Sequence, residues 1–270
     1  MSPLEAVVLF RLRYKSANVL QGISMSTFIT RTLFAGCCLA LPLSATASDE
    51  WTTRIAFYGW AANLDTTVSH PNLPSVSVDR SFSDLLKSID FAAIGLVETR
   101  KGEFGLLLDG MYVQMKDGAS ATRGPLTVDA NLKMDLATLM LAGQYRISET
   151  PTSYADLMLG VRGWYVKTDI TIDPFAIEDK RSKRWADLMI GAKGTYDVNQ
   201  DWFVSWSAMV GGFDISSNWV NDLHVGVGYR ISENSAVQLG YRYMDVDYSQ
   251  GNFDIDTKLG GLVLGIDYHF

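Results

Sequence analysis

The chain has 270 residues, of which 47% are hydrophobic and 20% are charged, so it is neither a disordered protein nor an acidic low-complexity one. Its formal net charge of −7 argues against a nucleic-acid-binding protein. No apolar run reaches the roughly 18 residues that a membrane helix needs, whereas the alternating residues of a transmembrane β-barrel would not raise the average hydropathy. Aromatic residues make up 11% and prolines number only 7, which favours a β-rich fold.

The N-terminal segment has the three parts of a secretory signal peptide. Arg31 and three basic residues further upstream precede the apolar stretch 33–43, and an A-x-A pattern at Ala45 and Ala47 follows it. These features predict cleavage after Ala47, so that residues 1–47 are the signal peptide and residues 48–270 are the mature protein. Met25 is an alternative start, which would make residues 1–24 a mis-assigned extension.

Both cysteines, Cys37 and Cys38, lie in the segment that this cleavage removes. The sequence before Cys37 resembles a lipoprotein acylation site, but its apolar stretch is too short for one. The mature chain therefore has no disulfide and no thiolate ligand for a metal. Four of the 23 basic residues and one of the 30 acidic residues lie in 1–47, so residues 48–270 carry a net charge of −10.

The mature chain alternates between apolar and polar side chains in about ten segments. The last is the clearest, because Leu262, Leu264, Ile266, Tyr268 and Phe270 all fall on one face. A period of two residues predicts amphipathic strands, and apolar faces that end in aromatic residues favour a lipid-facing exterior in an exported protein. We predict an all-β fold, a single antiparallel transmembrane β-barrel of about ten strands. Eight or twelve strands would also place both chain ends in the periplasm.

The links between these segments alternate between short and long, as in outer-membrane barrels. The short links are 101–103, 148–153, 199–201 and 232–234, the long ones are 63–90, 117–125 and 171–184, and two of intermediate length are 215–218 and 249–254. The segment around 91–100 alternates with no clear phase. The sequence therefore predicts short periplasmic turns and mostly longer extracellular loops.

The first extracellular loop contains the one helical pattern. Ser81 begins a capping-box-like sequence, and Phe82, Leu85, Leu86 and Ile89 then recur at helical spacing. We expect one to three helical turns whose apolar face packs into the barrel mouth as a lid over the lumen. The alternative place for this face is the membrane surface beside the barrel.

The polar faces of the strands predict the interior lining, which mixes both signs of charge. The predicted lumen-lining residues are Arg54, Asp109, Arg146, Arg162, Asp187, Lys193, Arg230 and Arg242. Either a water-filled lumen or a set of buried ion pairs would have this composition. Eight strands are just wide enough to be filled by side chains, and open channels need about sixteen, so ten strands favour a filled or narrow interior.

The three histidines do not fit an enzymatic site. His224 and His269 fall on inward faces and His70 lies in the first loop, and none has a nucleophilic serine beside it near an extracellular end. A hydrolytic triad needs that grouping. We predict that the protein is not an enzyme, with no catalytic, metal-binding or cofactor-binding residues and no cofactor.

Two charged groups near the predicted loops allow alternatives. The carboxylates Asp245, Asp247, Asp254 and Asp256 flank the last loop; they could bind Ca²⁺ or serve an aspartyl-type protease, but we interpret them as a solvated acidic rim. The basic cluster is Lys180, Arg181, Lys183 and Arg184. It fits lipopolysaccharide phosphates as well as it fits an ordinary charged loop.

Segments 51–60, 78–86, 98–105 and 109–112 resemble a family of uncharacterised proteobacterial outer-membrane β-barrels. The resemblance covers most of the mature chain and is strongest from Trp51 to Tyr112. It implies the fold and a place in the outer membrane of a Gram-negative cell, but no activity. The C-terminal strand also resembles that of bacterial outer-membrane barrels, which implies that Tyr268 and Phe270 form the signal read by the barrel-assembly machinery.

These patterns define the expected surroundings and two open functions. We expect outer-membrane lipid, lipopolysaccharide and the barrel-assembly machinery as partners, no nucleic acid, and a monomer. The protein is then either a structural or interaction barrel, or a narrow porin-like channel for small solutes. An outer-membrane enzyme that modifies lipid or cleaves protein remains the alternative.

Overall fold

The computed structural model of the protein describes residues 50–70, 73–123, 126–173, 177–250 and 253–270. The predicted signal peptide lies outside the described residues. The strands are β1 (Thr52–His70), β2 (Leu73–Arg80), β3 (Ile89–Lys101), β4 (Phe104–Arg123), β5 (Leu126–Thr150), β6 (Ser153–Asp173), β7 (Ile177–Asp197), β8 (Trp202–Gly212), β9 (Trp219–Arg230), β10 (Ser235–Gln250) and β11 (Phe253–His269). The helix α1 spans Phe82–Ser88.

Ten of the strands form one closed antiparallel barrel. Each strand pairs with the next along the sheet in the order β11-β10-β9-β8-β7-β6-β5-β4-β3-β1, and β11 pairs with β1 to close the ring. The eleventh strand, β2, extends the sheet from the far part of β1. The predicted ten-stranded antiparallel barrel with a short helix is confirmed.

The outer surface of the barrel is a band of exposed apolar side chains. Leu264 is 64% exposed and Leu159 is 58% exposed, which a water-soluble protein would not tolerate over such an area. Aromatic rings near the short turns border this band, namely Phe104, Tyr145, Tyr196, Trp202, Tyr229 and Tyr268. An apolar band bordered by an aromatic girdle is the lipid-contacting surface of a transmembrane barrel, so a lipid bilayer surrounds this one.

The four predicted short turns are confirmed, but the opposite end of the barrel differs from the prediction. Turns lie at 102–103, 151–152, 198–201 and 231–234. The regions predicted as long loops at 117–125 and 171–184 consist mostly of strand, since β4 continues to Arg123 and β6 to Asp173. Beyond the bilayer both faces of a strand meet water. The alternation of apolar and polar side chains therefore ends there, although the hydrogen bonds between neighbouring strands continue.

The first predicted loop is also mostly ordered structure. The β1–β2 hairpin occupies its first half and α1 its second half. Ser81 is the N-cap of α1, and its Oγ accepts from the Asp84 backbone N–H at 3.3 Å. Hydrogen bonds from Ser81 and Lys87 hold the pKa of the Asp84 carboxyl below its ordinary value. Within the described ranges, no helix is long and apolar enough to cross a membrane.

The lipid-facing band gives a direct test of the side-chain orientation. Val225 is 54% exposed in this band, so Val225→Arg should lower the free energy of unfolding by about 2–4 kcal/mol. The control is Glu233→Arg in the exposed turn after β9, which should change stability by less than about 0.5 kcal/mol. Urea titration of barrels refolded into lipid vesicles measures both values, and equal losses would contradict the assigned orientation.

Candidate functional site in the barrel interior

A network of five charged and polar side chains crosses the middle of the barrel. Arg242 on β10 donates to Asp222 on β9 through Nε at 2.9 Å and through Nη2 at 2.7 Å. Its Nη1 donates to the Tyr58 hydroxyl at 2.6 Å, and that hydroxyl donates to Asp109 at 2.5 Å. Arg162 on β6 reaches the same Asp222 carboxylate at 2.5 Å. We call these five residues the central network; it ties β1, β4, β6, β9 and β10 together across the lumen.

The central network is shielded from water. The Arg162 and Asp222 side chains are only 1% and 7% exposed. Methionines surround them, and the Arg162 guanidinium lies 3.3 Å from the Met140 sulfur and 3.8 Å from the Met244 sulfur. Because a buried charge is costly unless it is paired, each member depends on its partners.

A second set of ion pairs fills the interior near the short turns, the end that is predicted to face the periplasm and that we call the periplasmic end. Arg54 donates to Asp267 at 2.9 Å and to Glu98 at 3.3 Å, and Lys193 pairs with the same Glu98. Gln238 donates to the other Asp267 oxygen at 2.5 Å. This group links β1, β3, β7, β10 and β11 below the central network.

Asp156 on β6 extends this set of ion pairs, because it lies beside Lys193 in the β6–β7 ladder. It is fully buried and accepts from Arg100 at 2.5 Å and from Arg146 at 2.6 Å. Arg230, nearer the turns, pairs with Asp197 at 2.6 Å. These pairs leave the periplasmic end of the interior occupied by matched charges.

Aromatic rings close the extracellular part of the interior. Trp164 and Trp185 stack with centroids 5.7 Å apart, and Trp185 contacts the Tyr248 ring at 4.6 Å. The buried Asp187 carboxylate accepts from the Trp164 indole and from both the hydroxyl and the backbone N–H of Ser217, each at 2.8 Å. Ser217 belongs to the link between β8 and β9, so this contact fastens that link into the barrel.

The structure places the eight predicted lining residues as follows. Arg54, Asp109, Arg162, Asp187, Lys193 and Arg242 are inside the barrel, and Arg146 and Arg230 are part-buried toward the periplasmic end. The eight residues predicted to line the lumen do not include their counter-charges Glu98, Asp156, Asp222 and Asp267. The inward phase of β9 and β11 contains Asp222 and Asp267, so alternation could have found them. Glu98 lies in the segment whose phase was ambiguous.

A cavity of about 140 Å³ remains between the central network and the periplasmic set. Its wall includes Tyr58, Leu96, Met140, Met158 and His224. Both polar and apolar groups therefore face this space, which is close in size to a cavity that holds one small aromatic molecule.

The other candidate groups are dispersed. His269 lies at the periplasmic end of β11, and the side chain of His70 lies outside the described residues. Of the acidic rim, Asp247 accepts from Asn218 at 3.1 Å, Asp254 from Ser249, and Asp256 pairs with Lys258. The described residues contain no group of three or more His, Cys, Asp or Glu that could hold a metal ion.

The basic cluster is part of the extracellular strand extension on β7. The guanidinium of Arg184 lies over the Tyr165 ring at 4.9 Å, and the Lys183 amine lies 5.5 Å from the Tyr248 ring. Lys180 pairs with Glu178. The cluster is thus built into a sheet rather than carried on a loop.

Of the four predicted lid residues, Phe82, Leu85 and Leu86 belong to a helix attached to the barrel wall, whereas Ile89 is the first residue of β3. The Phe82 backbone N–H donates to the Asn63 side chain on β1 at 2.7 Å, and α1 contacts both β1 and β4. Phe82, Leu85 and Ile89 are half-buried, whereas Leu86 is 57% exposed. A role as a lid stays a prediction.

The closed ring of paired strands, the apolar exterior and the ion-paired interior define an outer-membrane β-barrel protein. The structure aligns with the outer-membrane protease OmpT of Escherichia coli with a TM-score of 0.55, at 11% identity, over 84% of this chain and 99% of that one. At that identity the likeness shows the fold alone. The translocator domain of the autotransporter NalP of Neisseria meningitidis aligns with a TM-score of 0.42, at 11% identity, over 83% and 90% of the two chains.

The sequence comparisons add one distant relative. No protein-family model matches the chain. The LPS-assembly protein LptD of Thiobacillus denitrificans is 25% identical over 156 residues, which are 57% of this chain and 20% of that protein. The chain thus spans about a fifth of the length of this relative.

The central network predicts a large effect of one carboxylate on stability. Asp222→Ala leaves Arg162 and Arg242 buried without their shared counter-charge, which should cost about 3–5 kcal/mol of unfolding free energy. Glu233→Ala in an exposed turn is the control, with an expected change within about 0.5 kcal/mol. Urea unfolding in detergent micelles compares the two. A loss at Asp222 as small as the loss at Glu233 would show that the network does not hold the strands together.

Proposed function

We propose that the protein is a closed, non-conducting outer-membrane barrel that presents an extended sheet at the cell surface as a structural or interaction protein. The observation that carries this proposal is the central network. Arg162 and Arg242 meet at Asp222 in the middle of the lumen, where an aqueous pore would need free space. The filled periplasmic set and the Trp164–Trp185 stack support the same proposal from either end.

The energetics of the interior support a closed state. An ion path through the central network would have to separate charges that are buried and paired. Separating one such pair costs about 3–5 kcal/mol, so an opening that breaks several pairs would be rare at equilibrium. The narrow-channel alternative therefore requires a rearranged interior.

The surface role is supported by the strands that continue beyond the lipid-facing band. From Tyr112 to Arg123, β4 extends roughly 25 Å outward for a tilted strand. Strand β5 pairs with this part of β4, β6 pairs with β5, and β7 pairs with β6. Charged side chains line this sheet, including the Lys167–Asp169 pair. A broad sheet with paired charges fits contact with lipopolysaccharide headgroups or an external protein.

We do not propose an enzymatic role. OmpT is a protease by name, but in the part of this chain that is described, the histidine side chains are His224 at the interior cavity and His269 at the periplasmic end. A hydrolase that acts on extracellular substrates needs its base near the outer rim. The positions of these two histidines support a binding or structural role instead.

We also propose that export uses the signal peptide 1–47 and that assembly uses the C-terminal strand. The Phe270 backbone N–H donates to the Thr53 carbonyl at 2.8 Å, and the Phe270 ring packs edge-on against Tyr268 with centroids 4.8 Å apart. Phe270 is 68% exposed. An exposed aromatic at the end of the lipid-facing stripe is available for the barrel-assembly machinery. We propose in addition that the protein acts as a monomer.

Assembly can be tested by removing this aromatic. Phe270→Ser should lower the amount of folded barrel in the outer membrane, because the terminal ring completes the stripe that the machinery reads. The measurement is the heat-modifiable form on gels of outer-membrane fractions. Trp51→Ser, at an exposed aromatic just before β1, is the matched control and should leave the level unchanged. Normal assembly of the Phe270→Ser protein would refute the signal.

Conductance tests the closed state. In planar lipid bilayers the natural chain should be silent, while Arg162→Ser combined with Arg242→Ser removes both guanidinium groups from the lumen and should produce ion-conducting openings. Heat modifiability confirms that the double variant is folded. Steady openings of the natural chain would contradict the proposal and favour the narrow channel.

A further inference from the structure

The barrel wall has one incomplete seam, between β1 and β3. Their ladder runs only from the pair Thr52–Arg100 to the pair Phe57–Gly95. Beyond this ladder, β3 is paired only with β4, as far as the pair Ile89–Met115, and β1 is paired with β11. In the described part of the chain, residues 58–63 of β1 and 89–94 of β3 therefore have no ladder partner on the side where they face each other.

Helix α1 crosses the upper end of this gap. Its N-terminus is bound to Asn63 of β1, and its C-terminus leads directly into Ile89, which pairs with Met115 of β4. Seven helical residues span about 10 Å, which equals about two strand spacings. The helix thus bridges β1 and β4 at the point where β3 begins. We call the gap enclosed by 58–63, 89–94, α1 and the Phe57–Gly95 pair the β1–β3 window.

The window lies within the lipid-facing band. Gly59 and Ala61 of β1 pair with Leu264 and Leu262 of β11, and both leucines are exposed to lipid. The edges of the window carry small residues: a Cβ at Gly59 would meet no atom within 4 Å, and Ala92 is exposed although its strand position faces inward. Bilayer components therefore have access to the two strand edges and to the space behind them.

Behind the window is a polar group that lacks a partner. Trp60 lies on the window segment of β1 and points inward, where the Arg242 guanidinium lies 5.3 Å from its ring. Its indole N–H is buried and has no acceptor among the described residues. Tyr58, two residues away, belongs both to the window edge and to the wall of the interior cavity. A buried donor without an acceptor in the protein is satisfied by a water molecule or by a ligand.

From these observations we propose that the β1–β3 window is a lateral binding site for the acyl chain of a membrane lipid. Small and apolar side chains at the edges suit an alkyl chain. The N–H groups of the open strand edges and the Trp60 N–H need hydrogen-bond acceptors, because backbone donors in a bilayer must be satisfied. A fatty acyl group carries both features, an alkyl chain and the carbonyl oxygens of its ester. The lipid enters sideways from the bilayer, with its carbonyl toward Trp60.

Photolabelling distinguishes this site from ordinary lipid contact. The mature barrel is refolded into dioleoyl phosphatidylcholine vesicles that contain a phosphatidylcholine with a diazirine on one acyl chain. Illumination should label the inward residues Trp60 and Leu96, in the tryptic peptides 55–80 and 88–100, several-fold more than inward residues of peptide 147–162 on the fully paired β6. Labelling confined to outward residues, at the same level in all three peptides, would overturn the proposal.

A filled window provides the matched variant. Ala92→Trp should abolish the labelling of Trp60 and Leu96, whereas Leu139→Trp, on the lipid-facing side of a complete seam, should leave it unchanged. Both variants must show the heat-modifiable folded form. Persistent labelling of Trp60 and Leu96 in the Ala92→Trp variant would overturn the proposal. A cross-linked dimer of the natural chain would also overturn it, even if the variant loses the label, because the occupant of the window would then be a second copy of the chain.

Cysteine pairs test the gap itself without any ligand. The mature chain has no cysteine, and a disulfide needs Cα atoms within about 7 Å. Residues 59 and 93 would be directly opposite each other if the ladder continued. Because the ladder ends before them, the pair Gly59→Cys with Ala93→Cys should stay reduced under mild oxidation. The control pair Ile55→Cys with Val97→Cys is opposite in the observed ladder and should cross-link. Equal cross-linking of both pairs would mean a closed wall and would overturn the proposal.

Discussion

The closing ladder between β1 and β11 is the interaction on which the rest of the structure depends. In a bilayer no water is available for backbone N–H and C=O groups, so a sheet is stable there only when it closes on itself. The ladder from Arg54–His269 to Ser69–Asp254 supplies that closure. Once the sheet is closed, each strand has one face toward lipid and one toward the lumen, and this division determines which side chains are exposed and which are buried.

The interior follows from the size of that closed sheet. Ten strands leave too little space for a wide aqueous channel, so inward side chains must pack against one another. Charged groups at these positions are tolerated only in pairs, and the central network, the periplasmic set and the Asp187 contacts are the observed solution. The same pairs connect strands that are not neighbours in the sheet, which explains why a charge-rich interior can be rigid.

The parts of this architecture that follow local rules were predictable from the sequence. The alternation of apolar and polar residues predicted the strands, the lipid-facing exterior and the short turns. Ser81 and the spacing of the apolar residues after it predicted α1. The partner of each inward charge was not predictable, because Asp222 meets Arg162 across the lumen at a distance of 60 residues along the chain. The β1–β2 hairpin was missed because its sequence contains no long alternation of apolar and polar residues. The ambiguous phase of 91–100 coincides with the strand edge at the incomplete seam, where Ala92 and Ala93 distinguish the two faces poorly.

The order of the strands has a consequence for how the barrel forms. From β3 to β11 each strand pairs with its successor in the sequence, so these ladders grow by local hairpin formation. The β1–β11 ladder alone joins the first and the last strand of the barrel, and among the described strand pairs it has the largest loop-closure entropy. Before that last step the chain is an open sheet with two unpaired edges, and such edges readily pair with strands of other proteins. Folding kinetics should therefore be limited by the meeting of β1 and β11, and a partner that holds either edge would control the rate.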